Sequence, residues 1–199
     1  MTATLNDAFP VLDGTRVQLR AYREQDLASY FALYADARVT RYWSFPAWSE
    51  LEAARERFPD MLAARDARNA LAWAIVPHGL DAPIGNVSLF RIDAVQGRAD
   101  IGYSLHPDHW GRGYASEALA RVLKHAFDAM GLRRIEADID PRNAASCRLV
   151  ERLGFVREGL LRERWQVAGE VCDTALYGLL AHDWTARGEA RDAALLGAP

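Results

Sequence analysis

Cysteine is scarce in this chain: its 199 residues include two, Cys147 and Cys172, with no CxxC spacing between them. Two are too few for a disulfide framework, and small thiols in a reducing cytosol are the expectation. Long apolar runs are missing as well; none approaches the roughly 20 residues of a membrane span. The first residues, Met1 to Asp7, offer neither a basic stretch nor an apolar core. No leader peptide is expected, and the chain reads as cytoplasmic. An excess of positive charge is also lacking. Twenty-four Lys and Arg against 27 Asp and Glu leave a formal charge of −3, whereas nucleic-acid-binding domains are usually basic. Repeats and linkers are absent. What is there, 50% hydrophobic and 26% charged residues, is ordinary globular composition at a length suited to one domain over residues 1–199.

The pattern along the chain alternates short strands and helices. Thr15 to Arg20 alternates as a strand, and Glu24 to Tyr34 has apolar residues at helical spacing. Ser49 to Arg68 reads as a second helix, with Ser49 and Glu52 at capping-box spacing and Pro59 expected to bend or divide it. Leu71 to Val76, Ile84 to Arg91 and Arg98 to Leu105 are separated by turn chemistry and read as an antiparallel meander. The clearest helix follows, with Ala115, Ala118, Leu119, Val122, Ala126, Phe127 and Met130 on one stripe and Gly131 at the C′ position. Ile135 to Ile139 is a strand. Asn143 to Leu153 is a helix with Asn143 as N-cap, Gly154 at C′ and Phe155 at C″ beside Val150. Phe155 to Leu161 and Val171 to Leu180 complete a hairpin, and the Ala/Gly-rich tail 187–199 is expected to fray. The predicted class is mixed α/β.

Chemistry concentrates in two places. The run His109-Trp110-Gly111-Arg112-Gly113-Tyr114-Ala115-Ser116-Glu117 lies between a strand and the clearest helix. Two glycines let the backbone turn tightly and approach a ligand. The free N–H groups and dipole of the following helix favour an anion there, and a phosphate or pyrophosphate is the natural occupant. A P-loop requires Gly-Lys-Ser/Thr, but Gly113 is followed by Tyr114-Ala115. A dinucleotide fingerprint requires a third glycine where Ser116 stands, and it opens a βαβ unit rather than following antiparallel strands. The second cluster, Asp138 to Arg148, runs from a strand into a capped helix. There Asn143 and Ser146 have a plain reading, as residues that satisfy helix-terminal N–H groups. His106 and His109 lack nearby ligands at metal-binding spacing, so no metal is expected.

Taken together, the two clusters resemble one family. A strand, Gly-x-Gly at a helix start, then Asn143-x-x-Ser146 and Gly154-Phe155, are similar to the GCN5-related N-acetyltransferases, which are acyl-CoA-dependent enzymes. The family loop Gln/Arg-x-x-Gly-x-Gly/Ala falls on Trp110 to Ala115, with Trp110 where Gln or Arg is usual. That departure, together with Ile101-Gly102-Tyr103 and Leu153-Gly154-Phe155-x-x-Glu158-Gly159, resembles the branch containing ribosomal-protein-alanine N-acetyltransferases. The resemblance covers Thr15 to Trp184. It implies a mostly antiparallel, twisted sheet flanked by helices and splayed between two central strands.

It also implies the site. CoA would lie on Trp110, Gly111, Arg112, Gly113, Tyr114, Ala115 and Ser116, with N–H groups from Arg112 onward cradling the pyrophosphate. The strand at Ser104, Leu105 and His106 would pair with the pantetheine arm, and an N–H near Leu105 would face the thioester oxygen. Asn143 would hold the pantetheine, and Ser146 would deliver a proton to the departing thiolate. The wider family often uses a Tyr on this helix; none occurs between Asn143 and Phe155. Asp138 and Asp100 are the base candidates, each with the alternative of a solvent-facing carboxylate or an arginine partner. The segment of Tyr42, Trp43, Ser44, Phe45 and Trp48 is either core or the wall of an acceptor pocket. Acetyl-CoA as cosubstrate, no metal, and a monomer or homodimer are the expectations. Three acceptor readings stay open: a protein N-terminal α-amine, a small amine (polyamine, amino acid derivative or amine antibiotic), or none, in a CoA-binding module without activity.

Overall fold

The computed structural model describes residues 9–63 and 69–186. Eight strands form one sheet: β1 (Leu12–Asp13), β2 (Val17–Ala21), β3 (Leu71–Pro77), β4 (Gly85–Asp93), β5 (Arg98–Leu105), β6 (Arg134–Ile139), β7 (Val156–Val167) and β8 (Glu170–Leu180). Their order is β1-β2-β3-β4-β5-β6-β8-β7. Every neighbouring pair is antiparallel except β5 and β6, which are parallel. Their pairing covers only Arg98–Asp100 against Arg134–Glu136. Beyond Asp100 the two strands part company, and the expected splay between central strands is present.

Both faces of the sheet are covered, as β3 shows. Trp73 and Ile75 enter one core, with α4 (Tyr114–Lys124) and α5 (Ala144–Leu153). Ala74 and Val76 enter the other, with α1 (Leu27–Ala35) and α3 (Leu51–Ala63). Successive side chains of a strand point to opposite faces, and on β3 from Ala72 onward every residue is buried. The second core is aromatic: Tyr22, Tyr30, Tyr34, Trp48 and Phe58 are buried in contact with one another. An ion pair holds the start of this layer. Asp26 accepts two bonds from Arg20, at 2.6 and 3.0 Å, plus the Arg23 N–H, and both side chains are buried.

Several boundaries differ from the sequence pattern for identifiable reasons. The first helix opens with a 3-10 turn, Glu24–Asp26, tied to Arg20 and Arg23. A short helix, α2 (Ala37–Thr40), follows it, with the Asp36 carboxylate accepting the Arg38 N–H. The second long helix begins at Leu51, so Ser49 lies two residues before it rather than at its N-cap. Its expected end at Arg68 falls outside the described residues. It runs unbroken through Pro59, because Pro59 and Arg55 lie on the exposed face, where the carbonyl that Pro59 leaves unbonded meets solvent. α4 ends at Lys124 and continues as one π-type turn, His125–Ala129. Gly131 has φ +67°, and the Leu132 N–H closes onto the Ala126 carbonyl at 3.0 Å, as a C′ glycine predicts. Gly154, at φ +100°, ends α5 with the Phe155 N–H on the Val150 carbonyl, a closure one residue shorter than the one that follows the π-type turn. The hairpin strands are longer than the pattern suggested, β7 reaching Val167. A last helix, α6 (Ala181–Ala186), packs Trp184 under Phe127. The tail expectation, 187–199, lies outside the described residues. Among the described residues no helix is long and apolar enough to cross a membrane.

Candidate active site

The glycine loop sits at the wide end of the splay. Gly111 and Gly113 have φ of +73° and +79°, a region that side chains rarely adopt. A Cβ at Gly111 would touch nothing within 4 Å, and at Gly113 only the Arg16 guanidinium, at 3.7 Å. Packing therefore does not demand glycine here; backbone conformation and open approach do. Gly113 is the N-cap of α4, whose first bond runs from the Glu117 N–H to the Gly113 carbonyl at 3.0 Å.

A cleft of about 1070 Å³ runs from this loop along the β5 end to α5. Its walls include Leu105, Trp110, Gly111, Gly113, Tyr114, Ala115, Ser116 and Asn143. Two residues expected with them, His106 and Arg112, do not line it. The His106 N–H donates to the Ile84 carbonyl at 2.8 Å, and its Nδ1 accepts the Asp108 N–H, so His106 closes the strand end. In an antiparallel pair, neighbouring residues turn their main-chain groups in opposite directions. With His106 facing β4, Tyr103 and Leu105 face the gap beside β6. One of these groups has a partner: Trp110 donates its indole N–H to the Leu105 carbonyl at 2.7 Å. Thus the tryptophan standing in the family's Gln/Arg position buttresses the strand end against the loop. His109 adds a signal that sequence reasoning missed. Its Nδ1 is buried without a partner, its ring lines the cleft, and burial lowers its pKa below 6.5.

A second cavity of about 550 Å³ lies on the other side of the splay. The two share Arg41, Tyr42, Trp43, Tyr103, Asn143 and Ser146. At this seam Asn143 caps α5, its Oδ1 accepting the Ser146 N–H at 3.1 Å. The plain reading of Asn143 holds, while its amide NH₂ is left unused by the cap. Ser146 Oγ lies 2.5 Å from Tyr103 Oη. Tyr103 is a further residue that sequence reasoning passed over as chemistry; only its place in Ile101-Gly102-Tyr103 was visible.

Both base candidates line the second cavity, in different states. Asp100 is bound to Arg91 at 2.9 Å. Burial raises its pKa while the Arg91 hydrogen bond opposes the shift. Asp138 accepts the Thr174 hydroxyl at 2.8 Å, and Thr174 accepts the Trp165 indole N–H at 3.0 Å. The aromatic segment divides between its two readings. Trp48 is core, whereas Tyr42, Trp43 and Phe45 line the cavity, the last two also resting on Tyr34. Five carboxylates, Asp100, Asp138, Asp140, Glu170 and Asp173, face two arginines, Arg41 and Arg91. Arg142 bridges Asp140 and Glu170. Asp138 and Asp173 accept only neutral donors, Thr174 and the Glu163 N–H, so two negative charges there have no cationic partner among the described residues.

The profile of the acetyltransferase (GNAT) domain matches residues 16–156. The chain is 33% identical over 169 residues to YoaA of Bacillus subtilis, named an uncharacterized N-acetyltransferase, covering 85% of this chain and 96% of that protein. It is 25% identical over 159 residues to a spermidine N(1)-acetyltransferase of Vibrio cholerae, covering 80% and 90%. Among solved structures, a GCN5-related N-acetyltransferase from Brucella melitensis superposes with a TM-score of 0.81 at 26% identity. That match covers 97% of this chain and 87% of the other.

Proposed function

The chain belongs to the GNAT N-acetyltransferases, and on that premise we propose that it transfers the acetyl group of acetyl-CoA to a small cationic amine. The observation that carries this reading is the meeting of two cavities at Tyr103, Asn143 and Ser146. One is floored by a glycine loop at the α4 N-terminus, and the other carries two carboxylates, Asp138 and Asp173, with no cationic partner among the described residues. In this reading, main-chain N–H groups from Gly113 to Ser116 hold the pyrophosphate at the α4 N-terminus. The Asn143 amide and the free edge of β5 hold the pantetheine. The Leu105 N–H, turned into the gap, faces the thioester oxygen and stabilises the charge that develops on it. Ser146 supplies a proton to the sulfur.

The acceptor side follows from charge. Asp138 and Asp173 attract a cation, and Tyr42, Trp43, Phe45 and Trp165 offer it aromatic faces. An alkylamine with a pKa like that of lysine, about 10.4, is almost wholly protonated at pH 7, so it must lose a proton before it attacks. Asp138 takes that proton, directly or through one water. Asp100 is the weaker candidate because Arg91 occupies it. The similarity to a spermidine N(1)-acetyltransferase supports the same acceptor class.

The test is acetyl transfer from isotopically labelled acetyl-CoA, read by mass spectrometry, across spermidine, tryptamine, a free α-amino acid and a hexapeptide with N-terminal alanine. Cationic amines without a carboxylate should show the highest kcat/KM, and Asp173→Asn should raise KM for the amine. Preference for the peptide would make a protein N-terminal α-amine the acceptor. CoA binding without turnover of any amine would make the protein a CoA-binding module.

A further inference from the structure

Ser146 opens α5, yet its hydroxyl bonds to a residue from another element. Tyr103 reaches across from β5, 43 positions earlier in the chain, with its Oη 2.5 Å from Ser146 Oγ and 3.4 Å from the Ser146 carbonyl oxygen. Each of the two oxygens carries one proton, so either can donate across this short contact. With Tyr103 as donor, Ser146 Oγ accepts. The proton of Ser146 is then left to point elsewhere, and Ser146 lines both cavities at the seam. Burial pushes the Tyr103 phenol up to about 12, against the opposing pull of the Ser146 bond, so the phenol keeps its proton at neutral pH.

We propose that Tyr103 is the positioning residue for acetyl transfer: it turns the Ser146 hydroxyl towards the thioester sulfur and replaces the proton that Ser146 gives up. This rests on the acetyl-CoA reading above and adds a residue to it. The step balances. The amine lone pair forms the C–N bond, and collapse of the tetrahedral adduct breaks the C–S bond, leaving its electron pair on sulfur. Sulfur takes the Ser146 Oγ proton while the Tyr103 Oη proton moves to Ser146, which never stands as an alkoxide. Of the two protons the alkylammonium sheds, the first goes to Asp138 before attack and on to solvent, and the second, lost from nitrogen in the adduct, reaches Tyr103 through water. The ring of Tyr103 packs against the main core, so Tyr103→Phe keeps the packing and removes only the hydroxyl.

The experiment compares wild type, Tyr103→Phe, Ser146→Ala and the double variant. Each is measured by CoA titration calorimetry and by steady-state acetyl transfer to spermidine, with the slow hydrolysis of acetyl-CoA by water as an arm that needs no amine. Tyr103→Phe should lower kcat about tenfold and leave the KM for acetyl-CoA within about twofold, since the contact acts in the transition state. A residue acting only through Ser146 adds nothing once Ser146 is gone, so the double variant should match Ser146→Ala within about twofold. Unchanged kcat in a Tyr103→Phe protein that binds CoA normally would overturn the proposal, as would penalties that multiply in the double variant. A Tyr103→Phe protein that loses CoA affinity in step with its rate would also overturn it, because Tyr103 would then be structural. A wild-type protein that does not bind CoA overturns the acetyl-CoA reading itself, a failure distinguishable from all of these.

Discussion

Gly113→Ala separates backbone strain from ligand approach. At φ +79° an alanine sits in the left-handed region at a cost of roughly 1–2 kcal/mol. Sterics add little, since the new methyl would meet nothing closer than the Arg16 Nη1 at 3.7 Å. For a chain of this size that cost corresponds to a melting temperature lower by about 2–8 °C. The affinity loss has another origin. A main-chain N–H works at roughly 2.9 Å from a phosphate oxygen, whereas a methyl carbon needs roughly 3.3 Å or more. Any retreat of the phosphate weakens several donors at once, and a loss of about 1.4 kcal/mol is already tenfold in Kd. Gly79 is the internal control. It has φ +85°, nothing within 4 Å of a Cβ, and a place in neither cavity. Gly79→Ala should lower the melting temperature by a similar amount and leave CoA affinity unchanged. Titration calorimetry beside thermal melts reads both quantities. Wild-type CoA affinity in folded Gly113→Ala, or an equal affinity loss in Gly79→Ala, would refute the cradle.

CoA at about a hundredfold excess over its Kd should stabilise the protein by about 2.7 kcal/mol, roughly 5–10 °C in a thermal melt, whereas NADH should not shift it. Asp26→Ala leaves the buried Arg20 without its partner and should cost roughly 3–5 kcal/mol in urea unfolding; a loss below about 1 kcal/mol would mean that Arg20 finds water. The Arg38 guanidinium hydrogen-bonds the Asp36 carboxyl and holds its pKa at about 2. A depressed folded-state pKa gives stability that is full above the unfolded value of about 3.9 and lost as pH falls through about 2. Stability measured from pH 5 to 2 should therefore decline less steeply in Asp36→Asn than in wild type.

The amino-acid sequence by itself determined the parts of this protein that depend on neighbours within one or two turns of chain. Alternation in β2, the turns that bound β3 to β5, the stripe of α4, the Asn143 cap, the glycines closing α4 and α5 and the Gly111-x-Gly113 loop are all local, because periodicity and main-chain hydrogen bonding act over a few residues. That was enough to read the fold class and to name residues that line the larger cleft, with His106 and Arg112 the exceptions. Tertiary structure alone decided what meets across the splay. Asp100 and Asp138 look equivalent as strand carboxylates, and only the β4–β5 pairing that places Arg91 beside Asp100 distinguishes them. Trp48 and Trp43 share one aromatic run, and only packing against Tyr30 and Tyr34 sends the first inward and leaves the second on the cavity wall. Tyr103 and Ser146 come together because β5 leaves β6 after Asp100 and α5 docks beside the opening. No periodicity encodes that contact, since it depends on where two strands stop pairing.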